Sequence, residues 1–157
     1  MDTYTISFFG HREIDHLVEV RQRLEDIIKD LLLKKEYIEF LIGRDGEFDI
    51  LTASIIRQAI RDYGNGNAAM ILVLPYMKAD YRDNEQSYLA YYHEIEICSA
   101  SAEAHPKSAI QIRNRNMIDR SNLVVCCIQH KSGGAYKTIQ YAMKHEKNTI
   151  NVGGIPL

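Results

Sequence analysis

The chain holds 157 residues, enough for one domain that buries roughly 70% of the surface its unfolded form exposes, so a core needs neither a disulfide nor a metal. Its 19 Lys and Arg stand against 21 Asp and Glu, a formal charge of -2 that supplies no overall attraction to nucleic acid or to an anionic membrane. Cys98, Cys126 and Cys127 lack CxxC spacing, the amino terminus has no signal-like basic and apolar pattern, and no apolar run nears the roughly 20 residues of a membrane span; a cytoplasmic protein without a membrane partner is expected.

Tyr4 to Phe9 is a short β-prone run, and Leu17, Leu24, Ile28 and Leu31 then recur at helical spacing until about Lys35. Tyr37 to Ile42 predicts a second strand, Gly43 to Glu47 a turn, and Phe48 to Tyr63 a helix whose Leu51, Ile55 and Ala59 share one face. Gly64-Asn65-Gly66-Asn67 closes that helix, glycine tolerating the left-handed conformation of a carboxyl-terminal cap. Ala69 to Leu74 is an uninterrupted apolar run, as for a strand buried on both faces of a parallel sheet. From Pro75 to Tyr88 charges break the pattern, and a loop with room for a helical turn is expected. His93 to Cys98 predicts a short strand, Lys107 to Asp119 a helix, Leu123 to Ile128 an apolar strand, Gly134 to His145 a helix and Thr149 to Val152 a last strand. Strand followed by helix, repeated along the chain, predicts an α/β three-layer sandwich with a mostly parallel sheet and right-handed crossovers, in one domain over 1–157.

In such a sheet ligands sit outside the carboxyl ends of the strands, where three glycine-bearing turns fall. In the first, Phe9-Gly10-His11-Arg12, Gly10 allows close backbone approach and Arg12 offers planar bidentate donors to a phosphate; a tight strand exit with a solvated Arg fits the same residues. His11 is the one histidine of six placed near this cleft, and the six lack paired metal-ligand spacing, so no metal is expected. The second turn runs Gly43-Arg44-Asp45-Gly46-Glu47-Phe48-Asp49. Glu47 and Asp49 there suit either the positive end of a helix dipole or work on a ligand, accepting hydrogen bonds from ribose hydroxyls or orienting a water.

A further segment, Ile112 to Asp119, is dense in donors. Arg113 and Asn116 share a helix face, as do Asn116 and Asp119, whereas Arg115 points elsewhere and reads as solvated. Asparagines amid arginines are poor helix formers for a merely solvated face, which favours Arg113 or Asn114 turned to the cleft. The third turn, Ser132-Gly133-Gly134-Ala135-Tyr136-Lys137-Thr138, places bare backbone amides at a helix start, a geometry that cradles anions. It is neither GxxxxGK[ST] nor GxGxxG. Cys126 and Cys127 read as inert core, and Tyr88, Tyr91 and Tyr92 as packing, with base stacking or a subunit contact as alternatives.

Taken together, FFGHR at 8–12, GRDGEFD at 43–49, RNRNMIDRSN at 113–122 and SGGAYKT at 132–138 resemble the SLOG superfamily, the group that includes cytokinin-activating LOG proteins, YpsA-like proteins and ligand-sensing domains of bacterial defence systems. The pieces span nearly the whole chain, and the likeness is strongest to small bacterial or phage proteins with an FFGHR start. What the resemblance implies is a Rossmann-like fold that binds a nucleotide or nucleotide-derived ligand across the Gly-rich turns. LOG enzymes hydrolyse the bond between base and ribose 5′-monophosphate with an arginine before an RKxxM-like motif and a glutamate after PGGxGT. Arg113 matches that arginine by its spacing to Met117, but Gln140 follows the glycines and cannot ionise. Glu47, Asp49 and Arg113 are the catalytic candidates should cleavage occur, with Asp119 a further carboxylate.

The expected function is therefore sensing or sequestering of a small nucleotide-like ligand without a cofactor. Its binding set is Gly10, His11, Arg12, Gly43, Arg44, Gly46, Asp49, Arg113, Asn114, Ser132, Gly133, Gly134, Ala135 and Thr138. One alternative is N-glycosidic hydrolysis of a nucleoside 5′-monophosphate by a displaced carboxylate, Glu47 or Asp49. Another is binding of single-stranded nucleic acid, against which the acidic balance speaks. Relatives in the superfamily commonly dimerise, so the resemblance implies a homodimer or larger homo-oligomer.

Overall fold

The structure, a computed structural model, describes residues 2–157. Six strands form one parallel sheet: β1 Thr3–Gly10, β2 Tyr37–Ile42, β3 Ala68–Leu74, β4 Glu94–Ile97, β5 Leu123–Cys127 and β6 Thr149–Asn151. Their spatial order is β4-β3-β2-β1-β5-β6. The chain thus steps outward from β1 to β4, then returns to lay β5 against the other side of β1. Such a reversal leaves a crevice beyond the carboxyl ends of the two central strands.

Alternation along the strands builds the layers, because successive side chains point to opposite faces. Ile6, Phe8, Phe40, Leu72 and Val125 meet α1 (Leu17–Lys34) and α2 (Glu47–Tyr63) through Val20, Leu24, Ile28, Phe48 and Ile56. Phe9, Leu41, Val73, Val124 and Cys126 meet α5 (Pro106–Asp119) and α6 (Gly133–Lys144) through Met117, Ile118, Ile139 and Ala142. Ser7 is fully buried in β1 and donates to the Met117 carbonyl at 3.1 Å, tying the central strand to the end of α5.

One expectation is corrected and another is refined. The stretch from Pro75 to Tyr88, expected as loop, carries α3 (Ala79–Asp83) and most of α4 (Glu85–Tyr91). Tyrosines supply its apolar face, with Tyr88 and Tyr92 buried and Tyr81 packed against the core. Asn84 separates the two helices and donates its side-chain amide to the Asp80 carbonyl at 2.9 Å. Helices this short are held by packing rather than by propensity, so hydropathy periodicity did not show them. At the end of α2, Gly64 is extended (φ -74, ψ 153) and the left-handed glycine is Gly66 (φ 82), two residues later. Gly64 is fixed by crowding, since a Cβ there would stand 2.5 Å from the Ile60 carbonyl oxygen.

The three cysteines are free and buried. Burial pushes the Cys126 thiol up to about 12 and the Cys127 thiol to about 11, so neither supplies a thiolate near neutrality. No helix among the described residues is long and apolar enough to cross a membrane.

Candidate functional site

A cleft of about 620 Å³ opens at the crevice beyond β1, β2 and β5, within the range of small-molecule sites. Its walls come from the turn after β1 (Gly10, His11, Arg12, Glu13), the turn after β2 with the start of α2 (Gly43, Asp45, Asp49), and the turn after β5 with the start of α6 (His130, Gly133, Gly134, Ala135). One face of α5 closes the remaining side with Lys107, Ile110, Gln111, Arg113, Asn114 and Met117.

The first two turns are clipped together. Glu47 donates its backbone N–H to the Arg12 carbonyl at 2.8 Å, and Gly46 (φ 134) passes so close that a Cβ would lie 2.9 Å from Arg12 Cα. Gly46 therefore serves the junction of the two turns and does not line the cleft. Gly10 does line it, and its missing side chain makes room for fully buried Phe48, whose Cγ would meet an added Cβ at 2.3 Å.

At the third turn the backbone is bare. Gly133 has φ 90, and an added Cβ would find no atom within 4 Å. Ser132 precedes α6 as its N-cap yet makes no capping bond, because its hydroxyl is 2.8 Å from His130 Nδ1. The first amides of α6 are thus left free at the positive end of a helix dipole. His130 in turn stacks on His11, ring centroids 3.7 Å apart and 8° from parallel. His11 is only 7% exposed and its Nε2 has no hydrogen-bond partner among the described residues. Burial and the neighbouring His130 hold its pKa below the ordinary value, against a bond to the His130 main chain, so it is neutral at pH 7.

Arg113 is the most constrained ionic group. It is 8% exposed, with Nη1 donating to the Val73 carbonyl at 2.8 Å and Nε to Asn114 Oδ1 at 3.0 Å. Asn114 Nδ2 donates to Thr138 Oγ1 at 2.9 Å, and that hydroxyl donates to the Gly134 carbonyl at 3.0 Å. The chain Val73–Arg113–Asn114–Thr138–Gly134 joins β3, α5 and the glycine turn. Thr138, expected as a ligand group, is instead fully buried within this network. Thr138→Val keeps its volume but strips Asn114 of an acceptor, and a loss of about 1–2 kcal/mol in urea unfolding is expected.

Asp49 lines the same cleft, and its carboxyl is pushed up to about 6 by burial and by Asp45, against the pull of Arg113 and the Asp45 main chain. A carboxyl raised from 3.8 to about 6 contributes stability that is fully present below the lower value and lost as pH rises through the higher. Between about pH 4 and pH 7 the wild type should therefore lose on the order of 2 kcal/mol relative to Asp49→Asn. Parallel stability curves for the two proteins would contradict the shift.

Other expected residues stand elsewhere. Arg44 turns from the cleft, its guanidinium 4.2 Å over the Tyr88 ring and its Nη1 3.5 Å from Tyr92 Oη. Asp45 pairs with Lys78 at 3.1 Å, so the second turn is anchored to the segment leading into α3. Tyr88 and Tyr92 are packing residues there, not a stacking platform. Glu47 is exposed and outside the cleft lining, which leaves Asp49 as the one of these two candidate carboxylates that reaches it. Asp119 accepts from Tyr141 Oη at 2.7 Å, and Arg115 lies 5.3 Å over the Tyr141 ring. Lys107 and Gln111 were not expected; with Ile110, Asn114 and Met117 they recur at helical spacing along one face of α5.

No family model and no curated protein matches the chain. Among solved structures it is similar to DNA processing protein A (DprA) from Streptococcus pneumoniae, with a TM-score of 0.66 over 95% of this chain at 15% identity. It is also similar to DprA from Helicobacter pylori, which binds single-stranded DNA, with a TM-score of 0.62 over 94% of this chain at 15% identity. The chain spans 50% and 64% of the length of those two proteins. At such identity the likeness carries the fold alone, and the fold is a Rossmann-like α/β domain with a six-stranded parallel sheet, shared with the DprA proteins.

Proposed function

We propose that the cleft binds a nucleotide unit by its phosphate. The observation that carries this reading is the uncapped start of α6, whose bare amides at Gly133 and Gly134 open into a cleft also lined by Arg12, Lys107 and Arg113. Phosphate meets the amides and the helix dipole, with Arg12 at the rim as a bidentate donor. The sugar then lies toward Asp49 and Arg113.

Two sources of that unit are supported by different observations. A free nucleotide is supported by the cleft itself, where Glu13, Asp45 and Asp49 offset the three cations and leave no strongly positive track for a polyanion. A single strand of DNA is supported by the fold shared with the H. pylori protein, and that likeness counts against ranking nucleic acid last among the expected partners. The formal charge of -2 weighs little against it, since phosphate contacts are local.

Thermal melts against AMP, ADP-ribose, NAD and an unstructured oligodeoxynucleotide distinguish the sources. A ligand present at 100 times its dissociation constant adds about 2.7 kcal/mol to stability. A shift with the small nucleotides that survives 200 mM salt supports the free nucleotide. A shift confined to the oligonucleotide and lost steeply with salt supports the strand. Release of free base during incubation, lost in Asp49→Asn, would assign hydrolysis to Asp49, which lines the cleft beside Arg113. No shift with any of the four removes the nucleotide reading.

A further inference from the structure

Gly43 separates two groups of opposite charge that do not touch. An added Cβ there would lie 3.0 Å from Asp49 Oδ2, 3.4 Å from Arg113 Nη1 and 3.6 Å from Arg113 Nη2. Yet Asp49 and Arg113 form no ion pair within the 4.0 Å that defines one among the described residues. The guanidinium is held back by its bonds to the Val73 carbonyl and Asn114, which leave Nη2 without a partner among the described residues. A notch therefore lies over Gly43, with a fixed donor on one wall and an acceptor on the other, and all three residues line the cleft.

One oxygen that both accepts and donates spans such a gap with two hydrogen bonds of about 2.8 Å. A hydroxyl does this; a methylene, a carbonyl or a second phosphate does not, since the phosphate would be repelled by the carboxylate. We infer that the notch over Gly43 is a sugar-hydroxyl subsite, accepting from Arg113 Nη2 and donating to Asp49, and that it makes the cleft selective for ribose over deoxyribose units. This rests on the nucleotide reading above and narrows it to ribonucleotides. The groups are half-buried or buried, so a ligand lacking the hydroxyl leaves both walls unpaired, which is the condition under which hydrogen-bonding sites discriminate strongly. A hydroxyl with both roles is also what distinguishes ribose from deoxyribose chemically.

The test is calorimetric titration of the wild type with AMP, 2′-deoxy-AMP and 3′-deoxy-AMP, repeated with Gly43→Ala and Asp49→Asn. Gly43 has no left-handed backbone conformation, so alanine fits the main chain and only fills the notch; a far-ultraviolet spectrum and melt confirm that the variant is folded. The inference expects 2′-deoxy-AMP to bind at least tenfold more weakly than AMP, with 3′-deoxy-AMP much less affected. It also expects Gly43→Ala to bind AMP no better than the wild type binds 2′-deoxy-AMP. Equal affinity for AMP and 2′-deoxy-AMP, or full AMP affinity in Gly43→Ala, overturns the subsite while leaving nucleotide binding intact. Failure of all three to bind the wild type overturns the nucleotide reading and the subsite with it.

Discussion

Gly10→Ala is expected to destabilise the protein by about 3 kcal/mol, which lowers the melting temperature by roughly 6–12 °C for a chain of this size. The added methyl would stand 2.3 Å from Phe48 Cγ, 2.5 Å from Cδ2 and 2.6 Å from Cβ. Phe48 is fully buried, in the first turn of α2, so its ring cannot swing into solvent. Either the ring leaves its seat or α2 moves away from the end of β1, and both openings disturb the turn that carries Asp49. Gly133→Ala is the useful comparison. Its methyl meets nothing within 4 Å, but φ 90 charges it with backbone strain of about 1 kcal/mol. A Gly10→Ala melt close to that of the wild type would mean that Phe48 does not seat against β1 as described.

Arg113→Ala is expected to abolish any nucleotide-induced rise in melting temperature and to cost about 2 kcal/mol of stability in the unliganded protein. Without the guanidinium the Val73 carbonyl and Asn114 Oδ1 lose their donors in a place water reaches poorly. Asp49 also loses the one cation that restrains its upward shift, so its carboxyl should titrate higher still. Arg113→Lys separates these effects, since an ammonium keeps the charge but has no fork with which to hold both partners and still face the notch. Urea unfolding together with ligand melts of both variants checks the pair. Undiminished ligand response in Arg113→Ala would place the sugar elsewhere in the cleft.

Most of the architecture was legible because strands and helices here obey the simplest patterns. β3 is apolar throughout, which only a doubly covered strand tolerates, and α1 and α2 repeat apolar residues at helical spacing. The alternation of β1 between Phe8 and Phe9 is equally plain once the two faces are known. What stayed hidden was stabilised at long range. α3 and α4 depend on tyrosines that serve as core residues, and on Arg44, which comes from a turn 44 residues before the Tyr88 it covers. That same contact explains why Arg44 was expected at the ligand: sequence places a side chain near a cleft but does not say where a long one turns.

The carboxylates show the limit differently. Glu47 and Asp49 are two residues apart, which on a helix puts them about 200° apart around the axis, so only one can face a given ligand. Nothing in the local sequence chooses between them. Gly43 and Arg113 do, because they form the space that Asp49 enters. Asn114 was legible as a cleft residue, but its side chain is engaged by Arg113 and Thr138, so it positions Arg113.

The most direct measurement is an amide chemical-shift titration of isotope-labelled protein with AMP, with inorganic phosphate in a parallel series. Binding of phosphate at the start of α6 predicts the largest shifts for both additions at Gly133, Gly134 and Ala135, and shifts at Gly43 and Asp49 with AMP alone. Saturable shifts that cluster away from these amides, or none at millimolar AMP, would contradict the assignment of this cleft to a nucleotide phosphate.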